Sequence, residues 1–77
     1  MAEKYQKSKQ SSLKAQIGLN IRKVRESIGI SREQLADKAK ISARYIYVLE
    51  SGTRNISIDT LEAVAKALDT NVCDIIL

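Results

Sequence analysis

Residues 30–52 read "ISREQLADKAKISARYIYVLESG", and this stretch decides how the chain is folded. Ser31 is followed three positions later by Gln34, a capping box in which each side chain satisfies the other residue's backbone N–H, so a helix starts there. Its inner face is short: Leu35, Ala36 and Ala39. The "KIS" of residues 40–42 is the next break, and Ser42 is a natural N-cap for a helix running through Ser51 and ended by Gly52. Ile46 and Leu49 form the inner face of this second helix. The chain has three tyrosines and neither Phe nor Trp, yet two of the three sit here, at Tyr45 and Tyr47. One residue apart on a helix they point about 200° from each other, so both cannot face the core. With Ile46 and Leu49 inward, Tyr47 projects from the exposed face beside Ala43, Arg44 and Val48, and Tyr45 leaves along the flank.

Helical spacing recurs on both sides of this stretch. Leu13, Ile17, Ile21, Val24 and Ile28 form one helical face that Gly29 brings to an end. After "GTRNI", Ser57 caps a helix whose Ile58, Leu61, Val64, Ala65 and Leu68 repeat at the same spacing, with Asp59 on the positive end of the dipole. Asn71 caps a final short helix containing Val72, Ile75, Ile76 and Leu77. No segment alternates as a strand and no repeat is present. The expected fold is all-α, five short helices in one domain over residues 13–77. The helix-turn-helix lies at about 31–51, and residues 1–12, "MAEKYQKSKQSS", form a flexible basic arm without an apolar pattern.

The charge is polarised. Residues 1–54 carry twelve Lys and Arg against five Asp and Glu, for +7, whereas residues 55–77 carry Lys66 against four acids, for −3. A cationic pole suits a polyanion, because neutralised phosphates release counterions and that release drives affinity irrespective of sequence. Two short helices joined by a three-to-four-residue turn then give the pole a shape: the second helix, held across the first, presents its outer face to a major groove about 12 Å wide. Ala36 is small where the helices cross, and Ile41 plugs the turn.

Other classes of function fit poorly. With no His, one Cys and no acid, base and nucleophile at telling spacing, an enzyme is not expected, and no cofactor or metal is implied. Cys73, among apolar neighbours, reads as a core or interface residue and cannot form an internal disulfide. No apolar run approaches the roughly 20 residues of a membrane span. A soluble, cytosolic protein is expected. A membrane-surface peptide is disfavoured because the apolar stripe of the basic first helix is needed for the core. An antitoxin-type protein-binding module that autoregulates its operon is the alternative to a dedicated regulator.

The stretch "GLNIRKVRESIGISREQLADKAKISARYIYVLESGTRNISIDTLEAVAKALDTNVCDII", residues 18–76, resembles the Cro and phage-repressor type of helix-turn-helix domain, also called xenobiotic-response-element-like. The marks are "IRKVRESIGIS" leading into "LA", then "YI", "LESG" and "LEAVAKAL" in one order. Within that family, "GTRNISI" is most similar to controller proteins of restriction–modification systems. The resemblance implies a lambda-repressor-like domain that binds double-stranded DNA and regulates transcription. It implies that Arg25 and Glu50 form a partly buried salt bridge between helices one and three, the arginine also lying near phosphate. Arg32 matches a phosphate-contacting position usually held by glutamine; Ser42, Thr53, Arg54 and Asn55 fall where the family's backbone contacts lie. Ala43, Arg44, Tyr47 and Val48 match positions that face base edges, and Tyr45 is expected to clamp a phosphate strand. The family usually has glycine in the turn between helices two and three, in a left-handed conformation. Here it is Lys40, whose side chain is expected to reach phosphate.

The acidic, apolar C-terminal third, about residues 57–77, is expected to dimerise. Val72, Ile75, Ile76 and Leu77 crowd a short segment, and a contact at the −3 end keeps two +7 ends free to face one pseudo-palindromic duplex.

Overall fold

The computed structural model describes residues 12–76, and within them every regular element is a helix. The helices are α1 (Leu13–Ile28), α2 (Arg32–Ala39), α3 (Ala43–Glu50), α4 (Ile58–Ala67) and α5 (Val72–Ile76). The basic arm, apart from Ser12, and the terminal Leu77 lie outside the described residues. Ser12 itself is the N-cap of α1, its hydroxyl accepting from the Ala15 N–H.

Four helix starts carry the same device, a serine hydroxyl accepting a backbone N–H of the first turn: Ser12, Ser31, Ser42 and Ser57. At Ser31 the reciprocal bond from the Ser31 N–H to the Gln34 side chain, 2.8 Å, completes the capping box. Gly29 closes α1 at φ 76°, the left-handed region where a Cβ is unfavourable. Lys40 closes α2 at φ 60°, in the glycine-favoured conformation the resemblance implies for this turn. Asp69, after α4, is the other non-glycine with positive φ among the described residues, and nothing in its sequence context announces it.

The core is one cluster: Ile17 and Ile21 from α1, Leu35, Ala36 and Ala39 from α2, Ile46 and Leu49 from α3, Leu61, Val64, Ala65 and Leu68 from α4, and Ile75 from α5. Helix α3 packs on α1 and α2, α4 packs on α2 and α5, and α5 returns to α1. The Asn20 side chain donates to the Ile75 carbonyl at 2.6 Å and ties the last helix to the first.

Two expectations about inner faces are corrected. Leu13 (62% exposed) and Ile28 stand outside the core, because a 16-residue α1 is about 24 Å long and overruns the cluster at both ends. Ile58 is 72% exposed, since the first turn of α4 projects past the edge of the core before Leu61 meets it. A third correction concerns the C-terminus. Ile75, expected at a dimer surface, is fully buried in the monomer's own core, and Val72 and Ile76 are half-buried against it. On a five-residue helix packed on both α1 and α4, one side faces inward, and Ile75 occupies it. Cys73 is exposed, which removes it from the core.

Candidate nucleic-acid interface

Helix α3 is positioned from beneath. Ile46 and Leu49 are buried, and the last turn of α3 lies on Gly18 of α1 so closely that a Cβ there would collide with the Leu49 carbonyl oxygen and approach the Glu50 carbonyl carbon at 3.2 Å. Gly52, at φ 76°, makes the equivalent approach to Ala15, whose Cα would lie 2.8 Å from an added Cβ. These glycines bring the C-terminal end of α3 against α1, and the backbone contact holds it there.

One helical face from Gly18, seven residues on, lies Arg25. Its Nε donates to Glu50 at 2.6 Å, a terminal nitrogen donates to the other Glu50 oxygen at 3.1 Å, and the second terminal nitrogen donates to the Ile30 carbonyl at 3.0 Å. The expected salt bridge between helices one and three is thus bidentate, and both partners are deeply buried. The hydrogen bonds with Glu50 and the field of that carboxylate raise the Arg25 pKa above its ordinary value, against the opposing effect of burial. The expected phosphate contact of Arg25 is corrected: its donors are taken up by Glu50 and the Ile30 carbonyl, one of them also 3.9 Å from Glu26, and the residue is 7% exposed.

Arg32, at the start of α2, brings a second guanidinium to the same carboxylate. Its Nε donates to Glu50 at 2.9 Å, and its carbon centre stands 5.3 Å from the centroid of the Tyr47 ring. Helices α1, α2 and α3 therefore meet at Glu50. Sequence spacing alone does not reveal this third arm, because residues 32 and 50 belong to different helices and share no periodicity.

On the outer face of α3, Arg44 and Tyr47 are exposed, Tyr47 at 59%, while Val48 is half-buried beside them. Ala43 and Tyr45 are half-buried with side chains packed against the core, so they stand on the two flanks of the helix, between its outer and inner faces. Lys40 and Ser42 are exposed at the turn, with Ser42 also capping α3. Thr53, Arg54 and Asn55 are exposed on the loop after α3, where Ser51 and Thr53 share a hydroxyl hydrogen bond of 2.9 Å. The structure thus gathers Lys40, Arg44, Tyr47 and Arg54 on or directly flanking one helix. It separates from them Val72, Ile75 and Ile76, which lie on α5; Leu77 falls outside the described residues.

No group of three or more metal-ligating side chains occurs among the described residues, and no helix there is long and apolar enough to cross a membrane. A helix held by its inner face across a second helix, with cationic and aromatic side chains on its free face, defines the helix-turn-helix class of DNA-binding proteins.

Comparison with known proteins agrees. The helix-turn-helix family profile matches residues 21–75, and the chain belongs to that family. It is 33% identical over 67 residues to Control protein C.BamHI of Bacillus amyloliquefaciens, covering 86% of this chain and 83% of that protein. It is 38% identical over 60 residues to the immunity repressor protein of Bacillus phage phi105, covering 78% of this chain but 42% of the repressor. Among solved structures, the restriction-modification controller protein C.AhdI from Aeromonas hydrophila superposes with a TM-score of 0.78 at 29% identity, over 80% of this chain and 94% of that one. The chain is a helix-turn-helix transcriptional regulator that resembles restriction–modification controller proteins.

Proposed function

We propose that the protein binds a pseudo-palindromic duplex operator as a homodimer and controls the transcription of a restriction–modification system. The observation that carries this reading is the free face of α3, where Arg44 and Tyr47 stand exposed above an inner face locked to α1 and α2. Arg44 makes a bidentate contact to guanine O6 and N7, and the Tyr47 ring and Val48 meet thymine methyls, with Ala43 at the edge of the groove. Lys40, Ser42, Tyr45, Thr53, Arg54 and Asn55 hold the phosphate backbone on either side. Arg32 adds its terminal nitrogens, which make no hydrogen bond among the described residues.

The similarity to two proteins named as restriction–modification controllers or control proteins supports the particular role. Dimerisation through Val72 and Ile76 of α5 sets two recognition helices about 34 Å apart, one turn of duplex. Selection of bound sites from random duplex DNA tests the whole reading: two inverted half-sites one turn apart are expected. A single asymmetric site, or no enriched sequence, overturns it.

A further inference from the structure

We infer that Arg32 is a specificity-determining residue that acts through Tyr47: tethered to buried Glu50, its guanidinium holds the tyrosine ring in the orientation from which it meets the base edges. The inference rests on Tyr47 reading bases and adds how the ring is aimed.

Tyr47 is 59% exposed on a helix, and an aromatic ring so placed has more than one rotamer open to it unless something restrains it. Packing from below supplies little restraint, because the residues that anchor α3 are Ile46 and Leu49 on its other side. The restraint comes from Arg32, whose guanidinium carbon lies 5.3 Å from the ring centroid, within cation–π range. A free surface arginine would be a poor guide, since it would move with the ring. This one is anchored: its Nε donates at 2.9 Å to Glu50, whose side chain is 3% exposed and is itself gripped through Nε and a terminal nitrogen of Arg25. The order of contacts is therefore Arg25 to Glu50 to Arg32 to Tyr47, from core to surface. Arg22, Arg32, Tyr47, Glu50 and Ser51 line a shallow recess of about 210 Å³, leaving the ring open beside the arginine.

The chemistry requires arginine here. Its planar cation presents one edge to a carboxylate while its face covers an aromatic ring, which the point charge of lysine cannot do. Lysine keeps the charge and hence the attraction to phosphate. Removing Arg32 leaves Glu50 with both bonds from Arg25, so the fold does not depend on it.

The test compares the full chain with Arg32→Lys, Arg32→Gln, Tyr47→Ala and Arg32→Lys/Tyr47→Ala, each checked for folding by circular dichroism. Binding profiles are measured on a randomised duplex library, and the χ1 distribution of Tyr47 in the DNA-free protein is measured by NMR. Tyr47→Ala first identifies the base pair that Tyr47 reads. The expected result is that Arg32→Lys loses about 2- to 5-fold discrimination at that base pair, the worth of one exposed cation–π contact, over and above any uniform change in its affinity for random duplex. Arg32→Gln loses the same discrimination together with some general affinity. In the Tyr47→Ala background Arg32→Lys alters discrimination no further, and in the DNA-free single variant Arg32→Lys turns one Tyr47 rotamer into an average. An unchanged profile for Arg32→Lys, or a change that persists without Tyr47, overturns the inference. If Tyr47→Ala leaves every position unaltered, Tyr47 is not a reader and the specificity claim falls with it. The χ1 measurement separates that outcome from a failure of Arg32 to hold the ring.

Discussion

Glu50 accepts from two arginines on one buried carboxylate, and this single side chain joins α1, α2 and α3. Glu50→Gln removes the charge while keeping the shape and leaves buried Arg25 with only the exposed Glu26 carboxylate, 3.9 Å away, as a counter-ion. The expected cost is about 3–5 kcal/mol, read from urea unfolding, with Arg32→Gln costing far less. The raised pKa of Arg25 means that the arginine side of this stabilisation is fully present below its ordinary, already high value and is lost only as pH rises through the still higher folded value. Around neutrality the arginine therefore adds no pH dependence. On the surface, Arg44→Ala should cost about 1–3 kcal/mol on the selected site and relax preference at one base pair, measured by titration against single-substitution duplexes. An unaltered profile would remove Arg44 from the readers. The Arg25–Glu50 pair was legible from its place in a recognisable pattern, whereas the Arg32 arm was not, because contacts between helices leave no spacing in the chain.

Four of the five helices start where serines place them, and the C-caps of these four lie at or one residue before a left-handed residue: Gly29, Lys40, Gly52 and Asp69. The caps and Gly29 are local features, so they are readable from four or five consecutive residues. Lys40 is the informative exception: it occupies a left-handed position, φ 60°, without the freedom of glycine. Lys40→Gly should therefore stabilise the domain by about 1 kcal/mol in thermal unfolding while weakening binding to any duplex, since a candidate phosphate contact is lost. A destabilised Lys40→Gly would show that the lysine side chain contributes more to the fold than its backbone costs. Gly18 shows the opposite case. It lies inside a helix, where propensity disfavours glycine, and only the closeness of the α1–α3 crossing explains it. Gly18→Ala is expected to cost about 1–3 kcal/mol, against the gain an exposed helical glycine would show on the same change.

At the scale of the molecule, the cationic pole and the proposed dimer surface belong to different parts of the chain. Residues 1–54 carry the positive excess and residues 55–77 the negative one, so two copies joined through α5 keep their α3 faces free. Because Ile75 is core, substituting it would test folding rather than assembly. Half-buried Ile76 is the appropriate probe. Ile76→Asp should remain helical, sediment as a monomer at micromolar concentration and bind the palindrome far more weakly, each copy gripping one half-site. A dimer that persists with parental affinity would place the interface elsewhere.

The number and approximate limits of the helices and the outward direction of Tyr47 are readable in the chain itself, whereas the left-handed turn at Lys40 was implied only by the family resemblance. The helices and the direction of Tyr47 follow from hydrogen bonds and periodicity within a few consecutive residues. Packing between the helices settled which apolar side chains the core had room for. Leu13, Ile28 and Ile58 carry the same periodic signal as Ile17, Ile21 and Leu61, yet they stand outside, while Ile75 lies wholly within. Periodicity reports the face a residue occupies, but not how far along its helix the neighbouring helices extend. For the same reason the convergence of Arg25, Arg32 and Tyr47 around Glu50 appears only once three helices have packed, since it is their crossing that brings these side chains within bonding distance.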